Sequence, residues 1–200
     1  MLGTGNDIVA LAAINVERTR QVKFYSKILS LSEKELYTEL RPGMPFENFV
    51  WLCWSVKESA YKFLKRFTPD LVFSPTKIII KKLVAGSDAY RGTVEFDTYR
   101  LYFRTIIDPD YIFSVVNFEN DFTHTRWGVK RIVSSDYIQQ SSEVRKLLLC
   151  GLNDLQPGNN FMINKSPHGW PIIIKDEQEL PLPVSLAHHG HYVAYSFQLK

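Results

Sequence analysis

The chain of 200 residues has only two cysteines, Cys53 and Cys150, and neither has a second cysteine close enough for a CxxC pair. That excludes a disulfide framework and a thiolate-based metal centre. Both cysteines sit in apolar helical patterns, the setting of small buried hydrophobes in a reducing compartment. Long hydrophobic runs are missing as well. A stretch such as Ile78-Ile79-Ile80 falls far short of the roughly 20 residues that cross a bilayer. No basic segment opens the chain and Asp7 interrupts the first apolar stretch, so no secretory signal is read and the expected location is the cytoplasm. Charge of one sign is scarce: 24 Lys and Arg against 21 Asp and Glu leave +3 at pH 7. The basic residues come in short pairs, Lys81-Lys82 and Lys130-Arg131, without the dense patches of a general nucleic-acid binder. Neither nucleic acid nor a membrane is therefore an expected partner. The small surplus suits an anionic ligand or an acidic protein.

Hydrophobic residues make up 45% and charged residues 22% of the chain. That is enough apolar material for one compact domain or two small, tightly packed subdomains. Residues 2–11 read as a short buried strand and residues 15–29 as an amphipathic stretch carrying Val16, Val22, Phe24 and Ile28. Ser32 and Glu35 have capping-box spacing, which predicts a helix starting at Ser32. Arg41-Pro42-Gly43-Met44-Pro45 reads as a loop. The clearest helix spans residues 49–67, with Trp51, Trp54, Ala60, Tyr61 and Leu64 at near-helical spacing and Pro69 beyond its end. Strands are expected at 76–83, 92–96, 100–107 and 111–118, separated by turn residues. A second helix is expected at 141–155, stopped by Pro157-Gly158, and strands at 160–164, 172–175 and 192–199. Both stretches run helix, short strands, final apolar strand, which hints at a duplicated unit with a boundary between residues 119 and 128.

Three places carry candidate chemistry. In Trp54-Ser55-Val56-Lys57-Glu58-Ser59-Ala60-Tyr61-Lys62, the residues Trp54, Glu58 and Lys62 are four apart and share a helix face. A Glu–Lys pair at this spacing is commonly a modest surface ion pair. The tryptophan on the same face argues instead for partial burial, where an isolated charge is costly, and Lys57 places a second base beside Glu58. In Gly3-Thr4-Gly5-Asn6-Asp7-Ile8-Val9, an aspartate within an apolar strand needs a partner. It either accepts backbone N–H bonds or serves, with Glu58, as an oxygen ligand of Mg²⁺, which takes one or two protein oxygens plus phosphate and water. The third place is Gly169-Trp170-Pro171 followed by Val184-Ser185-Leu186-Ala187-His188-His189-Gly190-His191. Three of the five histidines fall here. With no cysteine near and adjacent side chains diverging, a structural zinc site is disfavoured; a phosphate contact suits His188 better. Arg145 is either a second phosphate contact or a solvated helix charge.

Taken together, these segments resemble the 4'-phosphopantetheinyl transferase superfamily, whose signatures are a G-x-D strand, a W-x-x-K-E-x-x-x-K helix and a G-(K/R)-P … S-H segment. Gly5-Asn6-Asp7, then Trp54-Ser55-Val56-Lys57-Glu58 with Lys62, then Gly169-Trp170-Pro171 with Ala187-His188 stand at the matching places. The resemblance implies an α+β fold of two pseudo-symmetric subdomains, residues 1–120 and 121–200, each a small antiparallel sheet packed on a long helix. Residues 1–120 resemble the second half of the larger, surfactin-synthetase-type enzymes, and residues from about 135 to 200 resemble the first half. The two halves thus stand in swapped order, and one chain is expected to close its own site as a monomer.

The implied activity is transfer of 4'-phosphopantetheine from coenzyme A to a serine of an apo acyl or peptidyl carrier protein, as in the holo-acyl-carrier-protein synthases. The implied cofactor is Mg²⁺ on Asp7 and Glu58. Glu58, Lys62 and Lys57 are the implied catalytic residues, and His188, Arg145 and Lys62 are implied to hold the coenzyme A phosphates. Three positions depart from the pattern: Val9 where the larger type has a third acid, Trp170 where a basic residue is usual, and Ala187 where a serine precedes the histidine. The last two support a rival expectation, a non-catalytic relative that binds coenzyme A or a carrier protein.

Overall fold

The computed structural model describes residues 2–40 and 42–199. The first strand, β1 (Thr4–Ala10), is buried along its whole length. It is followed by two short helices, α1 (Val16–Thr19) and α2 (Val22–Tyr25). The expected amphipathic stretch is thus broken in two, and Val22 is left exposed while Ile28 is buried. Helix α3 (Leu31–Leu40) begins ahead of its expected capping box. The box is made by Ser30 and Glu33: Ser30 N donates to Glu33 Oε2 (2.7 Å) and Glu33 N to Ser30 Oγ (3.3 Å). Arg41 of the expected loop lies outside the described residues. The rest of that loop leads into α4 (Phe46–Lys65), the longest helix, whose inner face carries Phe49, Leu52, Val56, Ala60 and Phe63.

Four strands complete the first half: β2 (Ile79–Ala85), β3 (Tyr90–Phe96), β4 (Tyr99–Ile107) and β5 (Tyr111–Asn117). They form an antiparallel sheet in the order β1-β5-β4-β3-β2. Helix α4 lies close on β1. A Cβ added at Gly5 would run into the Ser59 carbonyl and come within 2.8 Å of Phe63 N, so glycine is what lets the helix backbone approach this strand. Ser59 Oγ, buried, donates to Ser55 O one turn back (2.7 Å) and lies 3.2 Å from Ser114 O on β5.

The second half starts with a strand in the stretch expected to be a boundary, β6 (Thr125–Arg131). Helix α5 (Tyr137–Leu155) follows, opened by the Asp136 side chain, which accepts from Ile138 N and Gln139 N. Strands β7 (Phe161–Lys165), β8 (Pro171–Lys175) and β9 (Gln178–Glu179) make a small sheet. Strands β10 (Val184–His189) and β11 (Tyr192–Gln198) join β6 in a sheet of order β10-β11-β6. In both halves the first strand pairs with the last, β1 with β5 and β6 with β11. The architecture is α+β with antiparallel sheets.

One edge of β1 is taken by β5, and its other edge faces the second half. Side chains meet it there: Gly3 N donates to Gln198 Oε1 (2.8 Å), Asn6 N to Ser185 Oγ (3.0 Å) and Ala10 N to His189 Nδ1 (2.9 Å). Ile8, Ala10, Phe113 and Val115 pack there against Ala187, Tyr192 and Ala194. The seam is thus partly apolar, and these strand-edge N–H groups are satisfied, as buried backbone donors require. Among the described residues, no helix is long and apolar enough to cross a membrane.

Candidate active site

Asp7 and Glu58 come together where α4 crosses β1, and Lys62 lies between them. Lys62 Nζ is 3.1 Å from Asp7 Oδ1 and 3.3 Å from Glu58 Oε1, and it donates to the Asn6 carbonyl at 3.0 Å. The helical repeat makes this arrangement. Glu58 and Lys62 are one turn apart on one face, and the strand carbonyl at Asn6 takes the remaining donor. Asp7 is only 5% exposed. Burial, with Glu58 as a like-charged neighbour, pushes its carboxyl up to about 7 against the pull of Lys62. Burial pulls Lys62 down, but the two carboxylates outweigh it and hold its ammonium above the ordinary lysine range.

Asp7 Oδ2 is buried and has no hydrogen-bond partner. A buried carboxylate oxygen left bare is costly and is a fitting ligand for a hard cation. Among the described residues no group of three or more Asp, Glu, His or Cys side chains gathers. The donor set is therefore two carboxylates, which fits a Mg²⁺ that draws its other oxygens from phosphate and water. Val9 points into the apolar cluster under α4 and is 2% exposed.

The second half brings His188 to this place. Its half-buried ring is lowered by burial and by Lys62, against the opposing charge of Glu58. It packs edge-on against Tyr137, the first residue of α5, at 5.5 Å between centroids. His189, lowered by burial, turns to β1, where its Nδ1 takes the Ala10 N–H. Ala187 packs into the apolar seam and is 2% exposed. The alternation of a strand therefore aims His188 and position 187 to opposite faces.

Two expected site residues are elsewhere. Lys57 is 0% exposed; its ammonium donates to Ile28 O (2.6 Å) and to Glu33 Oε2 (2.7 Å) in the core of the first half, not to the Asp7–Glu58 cluster. One residue is a step of about 100° around a helix, which carries Lys57 away from the face of Glu58. Arg145 lies on α5 with its guanidinium directed at Ile163 O (3.5 Å). Two turns of helix put it about 12 Å along the axis from Tyr137.

A cavity of about 280 Å³ opens beside Lys62, between Tyr61 and Arg66 on one side and Trp170, Ser185 and Leu186 on the other. The Trp170 indole stacks on His168 (5.0 Å, 19°). Arg66, which no motif singled out, donates to the carbonyls of Val184 and Pro171. Burial lowers its guanidinium to about 10 against the pull of Glu179. The available signal was its position: it follows Lys62 and Lys65 at a helix C-terminus, where cations are favoured.

Searches of curated proteins and of solved structures return no match. A family model, described as the 4'-phosphopantetheinyl transferase superfamily, matches residues 3–116, which run from just before β1 almost to the end of β5 and include Asp7, Glu58 and Lys62. Arg145, Trp170 and His188 lie beyond that match. It covers more than half of the chain and contains the whole Asp7–Glu58–Lys62 cluster, so the protein belongs to the 4'-phosphopantetheinyl transferase superfamily, a group of transferases that move phosphopantetheinyl groups.

Proposed function

We propose that the protein transfers 4'-phosphopantetheine from coenzyme A to a serine of an apo acyl or peptidyl carrier protein, with Mg²⁺ as cofactor and release of 3',5'-ADP. The observation that carries this reading is the buried, unpartnered Asp7 Oδ2 next to Glu58 and Lys62, inside the stretch the family model matches. Asp7 and Glu58 would hold the Mg²⁺, whose chemistry is to neutralise charge gathering on the coenzyme A diphosphate. Lys62 supplies a positive charge beside the diphosphate as negative charge grows on the leaving group. Its three donors are on Asp7, Glu58 and the Asn6 carbonyl, so it bonds a diphosphate oxygen by releasing one of them. The carrier serine Oγ attacks the β-phosphorus, the bond from that phosphorus to 3',5'-ADP breaks, and the serine proton passes to a base. Glu58, with 27% of its side chain exposed, is the carboxylate within reach of solvent and of a docked serine. His188, which leaves β10 on the face turned from the seam and packs on Tyr137, is the second half's contact for a nucleotide phosphate. Arg145 reaches that nucleotide only by releasing Ile163. Lys57, buried on Glu33, has no part in the chemistry.

The halves 1–120 and 121–200 are read as two copies of one unit in swapped order. The support is their shared connectivity: strand, long helix, antiparallel strands, with the first strand paired to the last. The cavity beside Lys62 is walled by residues of both halves, so a monomer would close its own site. Both cysteines are free; Cys53 is buried as expected, whereas Cys150 is exposed on α5 and not the expected buried hydrophobe. Two unpaired thiols suit a reducing cytoplasm.

The test is to mix the protein with apo carrier proteins, coenzyme A and Mg²⁺ and weigh the carriers. A gain of one phosphopantetheine is expected with the wild type and none with Glu58→Gln. No gain on any of several carriers from fatty-acid, polyketide and peptide synthesis would overturn the enzyme reading. Trp170 and Ala187 favour a second reading, a relative that binds coenzyme A or a carrier without turnover. Calorimetry showing tight coenzyme A binding in the absence of any mass gain would select it.

A further inference from the structure

The mechanism above leaves one buried ionic cluster unused. Lys57 and Glu33 are both 0% exposed and 2.7 Å apart. The carboxylate of Glu33 takes donors from three directions. Oε2 accepts from Lys57 Nζ and from Ser30 N (2.7 Å), and Oε1 accepts from Ile80 N on β2 (2.7 Å), while Ser30 Oγ accepts from Glu33 N. Lys57 adds Ile28 O at 2.6 Å. One side chain of α4 is thereby tied to the loop before α3, to the first turn of α3 and to the edge strand β2.

A buried ion pair is a poor source of stability, because desolvation of both charges offsets their attraction, and well-packed apolar residues do as well. Its effect is directional. It holds a helix at one rotation about its axis, whereas apolar contacts tolerate small turns and slides. Ser59, on the opposite side of α4 from Lys57, is held against β1 by the close Gly5 contact and packs within 3.2 Å of Ser114 O. Rotation of α4 is therefore fixed from two sides. The next residue after Lys57 is Glu58, whose oxygen must meet Asp7 and a cation within a few tenths of an ångström.

We infer that the Glu33–Lys57 pair is a positioning device for the proposed metal pair: it sets the rotation of α4 that aims Glu58 at Asp7. Lys57 is a positioning residue, acting through the backbone it shares with Glu58. This inference rests on the proposed function for what the aligned carboxylates hold.

The test compares wild type with Glu33→Gln/Lys57→Met, which removes both charges together and leaves no lone buried ion. Mn²⁺ is titrated into each protein in the presence of 3',5'-ADP and free metal is read by EPR, so that positioning is read without turnover. The same proteins are assayed for carrier modification across Mg²⁺ concentrations. The expected result is a cooperatively folded variant whose Mn²⁺ dissociation constant and half-saturating Mg²⁺ both rise about tenfold, the low end of what loss of supporting groups around a metal costs. The KM for coenzyme A measured at saturating Mg²⁺ is expected to stay within twofold. Unchanged Mn²⁺ affinity and Mg²⁺ dependence in a folded variant would overturn the inference and leave the pair a merely structural one. Should the double variant fail to fold, Glu33→Asp decides. It keeps the negative charge beside Lys57, so no buried ion is left alone, but shortens the reach of the carboxylate; an effect of about threefold is expected, and no effect would overturn the idea. A wild type that neither binds Mn²⁺ nor modifies a carrier overturns the proposed function, and the inference with it.

Discussion

Replacing Asp7 by asparagine should make the protein more stable at neutral and higher pH while removing its activity. Asp7 titrates near 3.8 in an unfolded chain and at about 7 in the fold. Between those values the folded state holds a proton that the unfolded state has released. Stability therefore falls as pH rises from about 4 to about 7. At about 1.4 kcal/mol for each pH unit between the two values, the full swing is about 4 kcal/mol. At about 2–4 °C per kcal/mol for a chain of this size, that is on the order of 10 °C in Tm. Asp7→Asn mimics the protonated carboxyl, so its Tm should match the wild type near pH 4 and exceed it near pH 8. Divalent metal should act against this loss in the wild type. It needs the carboxylate ionised, so Mg²⁺ with coenzyme A should raise the wild-type Tm more at pH 8 than at pH 5. At about one hundred times the dissociation constant the gain is about 2.7 kcal/mol. The assay is differential scanning calorimetry from pH 4 to 9 on both proteins, with and without Mg²⁺ and coenzyme A. A pH slope that persists unchanged in Asp7→Asn, or wild-type stability that climbs from pH 5 to 8 without metal, would refute the claim that Asp7 is held in an unsatisfied buried state.

Three further outcomes follow from the same contacts. Gly5→Ala drives a methyl into the Ser59 carbonyl; it should cost about 1–3 kcal/mol or more in urea unfolding and weaken activity by displacing α4 from β1. His188→Ala should leave the fold intact, since the ring is only half-buried, and raise the KM for coenzyme A about tenfold, the loss of one charge-assisted contact of about 1.5 kcal/mol, with kcat changed much less. Trp170→Lys returns a cation beside the cavity at Lys62 and should tighten coenzyme A binding severalfold by calorimetry; weaker binding would mean that the Trp170–His168 stack itself supports the ligand.

What the sequence made legible was whatever had a local period or a local motif. Strand β1, helices α4 and α5 and most strands of the first sheet follow from apolar spacing and turn residues. Asp7, Glu58 and Lys62 meet because one strand and one helix face carry them. Lys57 was misplaced because adjacency to Glu58 in sequence says nothing about the roughly 100° that separates them around the helix, and its partner Glu33 lies 24 residues earlier. The start of α3 slipped for a related reason. Ser30/Glu33 and Ser32/Glu35 have equal spacing, and only the burial of Glu33, demanded by Lys57 and Ile80, selects the first. Strand β6 was missed because Thr125-Arg126-Trp127-Gly128-Val129-Lys130-Arg131 is mostly polar. It is held by pairing with β11, which lies far along the chain.

The two-carboxylate site rests on Val9 as much as on Asp7. Both side chains leave β1 on the face toward α4, two residues apart, and Val9 is packed in the apolar cluster there. A third acid at this position, as in the larger relatives the sequence resembles, would stand in the same layer as Asp7 and add to a charge already short of partners. Val9→Asp should therefore cost about 3–5 kcal/mol in the absence of metal, the range for an uncompensated buried charge. If position 9 borders the cation, Mg²⁺ should recover part of that loss, and the Tm gain from adding Mg²⁺ should be larger in Val9→Asp than in the wild type. An equal gain in both proteins would put position 9 out of reach of the cation. The missing acid would then be a matter of packing alone, with Asp7 and Glu58 supplying every protein oxygen the metal sees.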